Sequence, residues 1–163
     1  MFLGLGSNLG DSIARLRRAL SRIERLAPVL AVSSFYRTDP VGHPDQPDFV
    51  NAVAKIAWPR KESPERLLEA IQEIERSGGR VRRFRNGPRE IDVDILDFGG
   101  VIRNAPDPVL PHPRMEARRF VLAPLAEIAP RWRHPISGKT AKELMRGLPA
   151  KPGVVRIRTG ASA

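Results

Sequence analysis

The chain has 163 residues and no cysteine, which suits a single domain with its own core and excludes a disulfide framework or a thiolate metal site. A net charge of +10, with arginine well ahead of lysine, points to anionic partners: nucleic acid, nucleotide or a phosphorylated metabolite. No apolar run approaches the roughly eighteen residues of a membrane span, and the first six residues lack the basic region of a signal peptide, so the expectation is a cytoplasmic protein without membrane contact.

Residues 2–6 read as a short apolar strand interrupted by Gly4 and Gly6, where another backbone or a ligand can approach closely. It leads into Gly6-Ser7-Asn8-Leu9-Gly10, which is not a Walker loop because no Gly-Lys-Ser/Thr follows. Asp11 or Ser12 caps a helix with the stripe Ile13, Leu16, Leu20 and Ile23, and Pro28 ends it. Residues 29–37 are expected to form one strand, followed by a stiff proline-rich loop over 38–48. The next strand, over 49–58, places Phe49, Asn51, Val53 and Lys55 on one face. Phe49 and Asn51 can stack on a planar heterocycle and read its edge, or serve as a core aromatic and a turn amide.

Ser63-Pro64 starts a second helix with the stripe Leu67, Leu68, Ile71 and Ile74, stopping at Gly78-Gly79. Gln72 and Glu75 share a face near its end, either as a solvated surface or turned toward the segment that follows. After a strand over 90–98, Gly99-Gly100 makes a turn from which Val101-Ile102 can pair back. Residues 109–114 are extended, 118–128 helical around Pro124, and Thr140-Ala141-Lys142-Glu143 is a capping box for a helix ending at Gly147. Residues 154–158 alternate as a last strand. The order predicts an α+β fold, a ferredoxin-like sandwich with a mainly antiparallel sheet covered by helices. The expected extent is a single domain over 1–158 with a disordered tail at 159–163.

The chemistry concentrates in 79–96. Asp92 and Asp94 alternate with Ile91, Val93 and Ile95, so the two carboxylates share a strand face with Cα atoms roughly 6.6 Å apart. Side-by-side carboxylates repel unless a cation uses them, and two hard oxygen ligands with open positions suit Mg²⁺ completed by phosphates. Just before them Arg80, Arg82, Arg85 and Arg89 lie in a glycine-flanked segment able to fold over an anion. Together they read as phosphoryl transfer. Two other readings share these residues: an arginine-rich nucleic-acid-binding domain, with phenylalanines stacking bases, and a metal-dependent phosphohydrolase or nuclease. The first must explain an acid pair inside a basic patch. The second needs a base, yet His43, His112 and His134 are all distant in the chain.

Several stretches in one order resemble the 6-hydroxymethyl-7,8-dihydropterin pyrophosphokinase family of folate biosynthesis. They are Leu5-Gly6-Ser7-Asn8-Leu9-Gly10, Ser33-Ser34-Phe35-Tyr36-Arg37-Thr38, Asp45-Gln46-Pro47-Asp48-Phe49-Val50-Asn51 and Arg80-Val81-Arg82. Further on come Gly87-Pro88-Arg89-Glu90-Ile91-Asp92-Val93-Asp94-Ile95, Leu110-Pro111-His112-Pro113, and the stretch from Phe120 to Pro130. The resemblance implies transfer of the terminal diphosphate of ATP to the hydroxymethyl group of the dihydropterin, leaving AMP, by a monomer without nucleic-acid partners. It implies that Asp92 and Asp94 hold two Mg²⁺ ions and that Arg80 and Arg89 act on the transferring phosphates. It implies that Arg82, Arg85, Gln72, Glu75, Ile95, His112 and Arg118 serve ATP. Phe49 and Phe120 would sandwich the pterin, with Asn51 reading its edge and Thr38, Asp39, Pro40 and Val41 adding contacts. The chain departs from the family at Asp39, at Pro113 and at Asn86, where relatives often carry a tryptophan. The expectation is that the loop over 78–87 is mobile without ligand and that Phe84 takes over the tryptophan's sealing role.

Overall fold

The computed structural model describes residues 1–41, 45–79 and 87–158. In chain order the elements are β1 (Phe2–Ser7), α1 (Ser12–Leu26), β2 (Val29–Val32), β3 (Tyr36–Thr38), β4 (Phe49–Ile56), α2 (Pro64–Ser77) and β5 (Asp92–Asp97). A single 3-10 turn at Met115–Ala117, then α3 (Arg119–Ile128), α4 (Ala141–Gly147) and β6 (Val154–Arg156) complete it. The helix ends follow their capping residues. The Asp11 carboxylate accepts from Ala14 N at 3.0 Å, Ser63 from Arg66 N at 3.4 Å, and Thr140 with Glu143 closes a reciprocal box. α2 stops at Gly78, where a Cβ would lie 2.7 Å from the Ile91 side chain.

Among the described residues the strands form one six-stranded antiparallel sheet in the order β5-β1-β4-β3-β6, with β2 also pairing β4. The α+β expectation holds. α1 and α2 cover one face, burying Leu16, Ile23, Leu67 and Ile71 against Leu3, Leu5, Ala54, Val93 and Ile95. α3 and α4 cover part of the other, where Val121, Leu122, Leu125 and Leu144 meet Phe2, Val53 and Leu96. Successive residues of a strand point to opposite faces, so one run of β5 supplies both layers.

Two expectations need correction. Residues 29–37 are two strands rather than one. Between the pairs Val32↔Ala54 and Tyr36↔Asn51, residues 33–35 oppose only residues 52–53 of β4, so one residue is extra and the ladder bulges. Ser33 fills the gap: its N–H donates to Val53 O and its hydroxyl accepts from Val53 N, both at 2.9 Å. Val101 and Ile102 remain exposed, and the return pairing falls instead on Arg103 and Leu110. The Gly99-Gly100 turn places both glycines at positive φ, which carries the chain past the pairing register expected for the next two residues.

Candidate active site

Gly4 and Gly6 lie at the centre of the site. In the sheet register Gly6 is paired with Asn51 on one side and Asp92 on the other, and Gly4 likewise with Val53 and Asp94. Two residues without side chains therefore separate Asn51 from the acid pair, leaving a floor about 10 Å across. The fit is tight as well as open: a Cβ on Gly6 would lie 2.9 Å from Asn51 Oδ1. Over this floor is a cleft of about 380 Å³, walled by Thr38, Phe49 and Phe120 at one end and by Arg89, Asp92, Asp94 and Arg118 at the other.

The aromatic end is preorganised. Asn51 is 7% exposed and its Nδ2 donates to the Thr38 hydroxyl at 2.8 Å, which fixes the amide's orientation within the slot. Phe49 and Phe120 are half-buried, and the Arg118 guanidinium lies 5.4 Å from the Phe120 ring centroid, within cation–π range. Asp39 and Val41 line the same end, and Pro40 does not.

The charged end joins β5 to the segment before it. Arg89 forms an ion pair with Asp92, while Arg118 Nη1 stands 3.9 Å from Asp94 Oδ2. Burial and the neighbouring Arg114 lower the Arg118 pKa, opposed by Asp94 and Asp92, and the guanidinium stays charged in all cases. His112 reaches Asp94 after all: its Nε2 lies 3.8 Å from Asp94 Oδ2, although the two are distant in the chain. Burial chiefly, then the cations of Arg118 and Arg114, lower its pKa to about 4, so the imidazole is neutral at pH 7. Its Nδ1 accepts from Arg114 N at 3.2 Å, which leaves the proton on Nε2, facing Asp94. That imidazole donates toward the carboxylate and is a poor base for activating water.

The remaining expected site residues divide. Ile95 sends its side chain into the core under α1 and α2, so only its backbone can serve a ligand. Gln72 and Glu75 do not share an environment: Gln72 is exposed, whereas Glu75 is 5% exposed and accepts from Val93 N at 2.8 Å, bracketing α2 to β5. Neither lines the cleft. Arg80, Arg82, Arg85 and the sealing role expected of Phe84 lie outside the described residues.

Sequence reasoning gave Asn8 no role, yet it ties Arg89, at the charged end, to the chain at Gln46 and Pro47. Its backbone N–H donates to Arg89 O at 3.1 Å and its Oδ1 accepts from Arg89 N at 2.8 Å. Its Nδ2 donates to Gln46 Oε1 and Pro47 O, both at 3.0 Å. The available signal was a buried-type position holding an amide directly after an apolar strand. Arg114, Arg119 and Lys151 also line the cleft without having been expected there.

An antiparallel sheet whose open face joins an aromatic end to carboxylates and guanidinium groups belongs, by comparison with known proteins, to a transferase of the pyrophosphokinase class. Residues 2–130 match the family model described as 7,8-dihydro-6-hydroxymethylpterin-pyrophosphokinase (HPPK). The chain is 43% identical over 159 residues to the 2-amino-4-hydroxy-6-hydroxymethyldihydropteridine pyrophosphokinase of Pseudomonas aeruginosa, covering 96% of each chain. It is 42% identical over 156 residues to the protein of the same name from Bacillus subtilis, covering 94% of this chain and 92% of the other. Among solved structures, the HPPK-DHPS protein of Plasmodium falciparum superposes with a TM-score of 0.65 at 15% identity, over 89% of this chain and 40% of that one, a likeness of fold. The chain belongs to the HPPK family and is a pyrophosphokinase of folate biosynthesis. That places it apart from the nucleic-acid-binding and phosphohydrolase classes which the same residues had left open.

Proposed function

We propose that the cleft binds 6-hydroxymethyl-7,8-dihydropterin at its aromatic end and the triphosphate of ATP at its charged end, as one domain over residues 1–158. The observation that carries this reading is the register: Asn51, Gly6 and Asp92 form one row across three strands, so ring reader and phosphate end share one floor. Phe49 and Phe120 would stack the ring, and Asn51, held by Thr38, would present its amide to the ring's edge.

Asp92 and Asp94 fit a hard divalent cation. Both are oxygen donors on one strand face, and no group of three or more metal-ligating side chains occurs among the described residues, so the other ligands would come from phosphate and water. With two Mg²⁺ held there, the ions would supply positive charge to the triphosphate oxygens. The protein's own part is positional and electrostatic. Arg89 and Arg118 offer charge-assisted donors to the phosphate that accepts attack, and the slot presents the substrate's hydroxymethyl group to it. The hydroxymethyl oxygen forms a bond to the β-phosphorus, the bond from that phosphorus to the α,β-bridging oxygen breaks, AMP leaves with the electron pair, and the hydroxyl proton passes to water. By the family resemblance, Arg80, Arg82 and Arg85 would also serve the phosphates of ATP.

The test is product analysis. Purified protein with Mg²⁺, ATP and the reduced pterin should release AMP in step with pterin consumed. Release of ADP, or AMP formation indifferent to the pterin, would refute the reading.

A further inference from the structure

The family model ends at residue 130, but the cleft does not. Leu148, Pro149, Lys151 and Pro152 form one of its walls. This strap is fixed at both ends to residues beside the ring slot. Arg119, adjacent to Phe120, donates from Nη1 to Leu148 O at 3.3 Å and to Pro149 O at 3.2 Å. At the far end Gly153 N donates to Asp39 Oδ2 at 3.2 Å, beside Thr38. Past that point β6 pairs with β3, aligning Val154 with Thr38 and Arg156 with Tyr36. Arg156 Nε then donates to Ser34 Oγ at 2.7 Å and Nη2 stands 3.2 Å from Glu127 Oε1.

We propose that residues 148–153 are a working wall of the pterin end, and that Asp39 is a positioning residue which acts through this strap. The inference rests on the pterin reading above. The structure gives the Asp39 carboxylate a partner in the strap backbone. Two prolines in the strap limit backbone freedom, so little order need be imposed on it when ligand enters. Leu148 packs with the cluster that includes Phe120, and the aliphatic stem of Lys151 can cover apolar surface while its ammonium stays in water. The strap thus links the helix carrying one stacking ring to the end of β3 at Thr38, and excludes water from the ring between them.

The experiment compares Asp39→Ala, Asp39→Asn and the double variant Pro149→Gly/Pro152→Gly with the unaltered protein. Calorimetry gives the Kd of the pterin and, separately, of a non-hydrolysable ATP analogue with Mg²⁺. Asp39→Ala and the double variant should weaken pterin binding about tenfold, the loss of one charge-assisted hydrogen bond or of strap order. Asp39→Asn should recover most of it, because its amide oxygen still accepts from Gly153 N, and the ATP analogue should shift less than about twofold throughout. Unchanged pterin binding in both the Asp39→Ala and the double variant would overturn the proposal. So would equal losses for both ligands, or an Asp39→Asn as weak as Asp39→Ala. If Asp39→Ala fails to fold, the double variant decides, since it leaves every side chain outside the strap intact. Should the unaltered protein itself release AMP without pterin, the underlying reading fails, an outcome visible before any variant is made.

Discussion

The two faces of β1, β4 and β5 are built from alternate residues of the same strands and do opposite work. Toward α1 and α2 they present Leu3, Leu5, Ala54, Val93 and Ile95, all buried. Toward the cleft they present Gly4, Gly6, Asn51, Asp92 and Asp94. A slip of one residue in pairing would exchange these sets, so the apolar face fixes the register on which the cleft depends. The cleft side has its own apolar cluster under α3 and α4, and beside it like charges and open glycines are tolerated for the chemistry they allow.

The sharpest way to break this division is at the acids. Asp92→Ala and Asp94→Ala should each lower turnover by about 10³-fold or more, the several kcal/mol expected from a cation's charge on the phosphates, while the thermal midpoint barely moves. Near-normal turnover in either variant at saturating Mg²⁺ would remove the acids from the reaction. One position along, the expectation reverses. Ile95→Ala deletes core atoms under α1 and α2 and should destabilise by about 2–5 kcal/mol in denaturant titrations. Its remaining folded fraction should bind both substrates normally, and a selective loss of one ligand would mean that the faces are not separate.

Within the cleft, Phe120→Ala should weaken pterin binding by about 1–3 kcal/mol, the usual worth of an aromatic stacked on a heterocycle, and leave the ATP analogue nearly unaffected. Phe120 also packs at the edge of the α3/α4 cluster. Parallel losses for both ligands with a lower thermal midpoint would assign it to the core rather than to the slot.

Much of this division was legible in the sequence, for reasons of period. Alternation over 91–95 separated acids from core residues, and the capping residues Asp11, Ser63 and Thr140 located the helices. What stayed hidden depended on long-range contact. Nothing local says that His112 returns to Asp94 or that Asn8 links Arg89 to Gln46 and Pro47. The bulge at Ser33 was invisible because β-branched and aromatic residues continue on both sides of it, and only the partner strand reveals the extra residue. For Glu75 the sequence left a solvated face and one turned toward the next segment both open, since nothing in the helix's own pattern discloses that an N–H of β5 meets its carboxylate.

The smallest effect tests how much a polar bracket adds to the apolar packing that holds α3 over the sheet. Glu127 on α3 accepts from Ser34 N at 3.0 Å, Ser34 Oγ at 2.8 Å and Tyr36 Oη at 2.9 Å, tying the helix that carries Phe120 to β3. Burial, then the hydrogen bond to Glu127, pushes the Tyr36 pKa up to about 12 from 10.0. Burial acts to raise that of Glu127, but donors from Ser34 and Tyr36 outweigh it and the net direction is down. The signs follow. Tyr36 has a raised folded pKa, so its contribution is complete below pH 10 and is lost as pH rises toward 12; Glu127, with a lowered one, contributes above the ordinary carboxylate range and loses that as pH falls through its folded pKa. Tyr36→Phe should therefore cost about 1 kcal/mol at pH 8, one hydrogen bond to a carboxylate, and the gap to the unaltered protein should narrow between pH 10 and 12. Denaturant titrations of both proteins at pH 8, 10 and 11.5 read this difference directly, and because lysines titrate alike in both, only Tyr36 can change it. A gap that is constant with pH would show that the phenol is bound by packing alone, and that the Glu127 bracket adds nothing to the apolar cluster that holds α3 over the sheet.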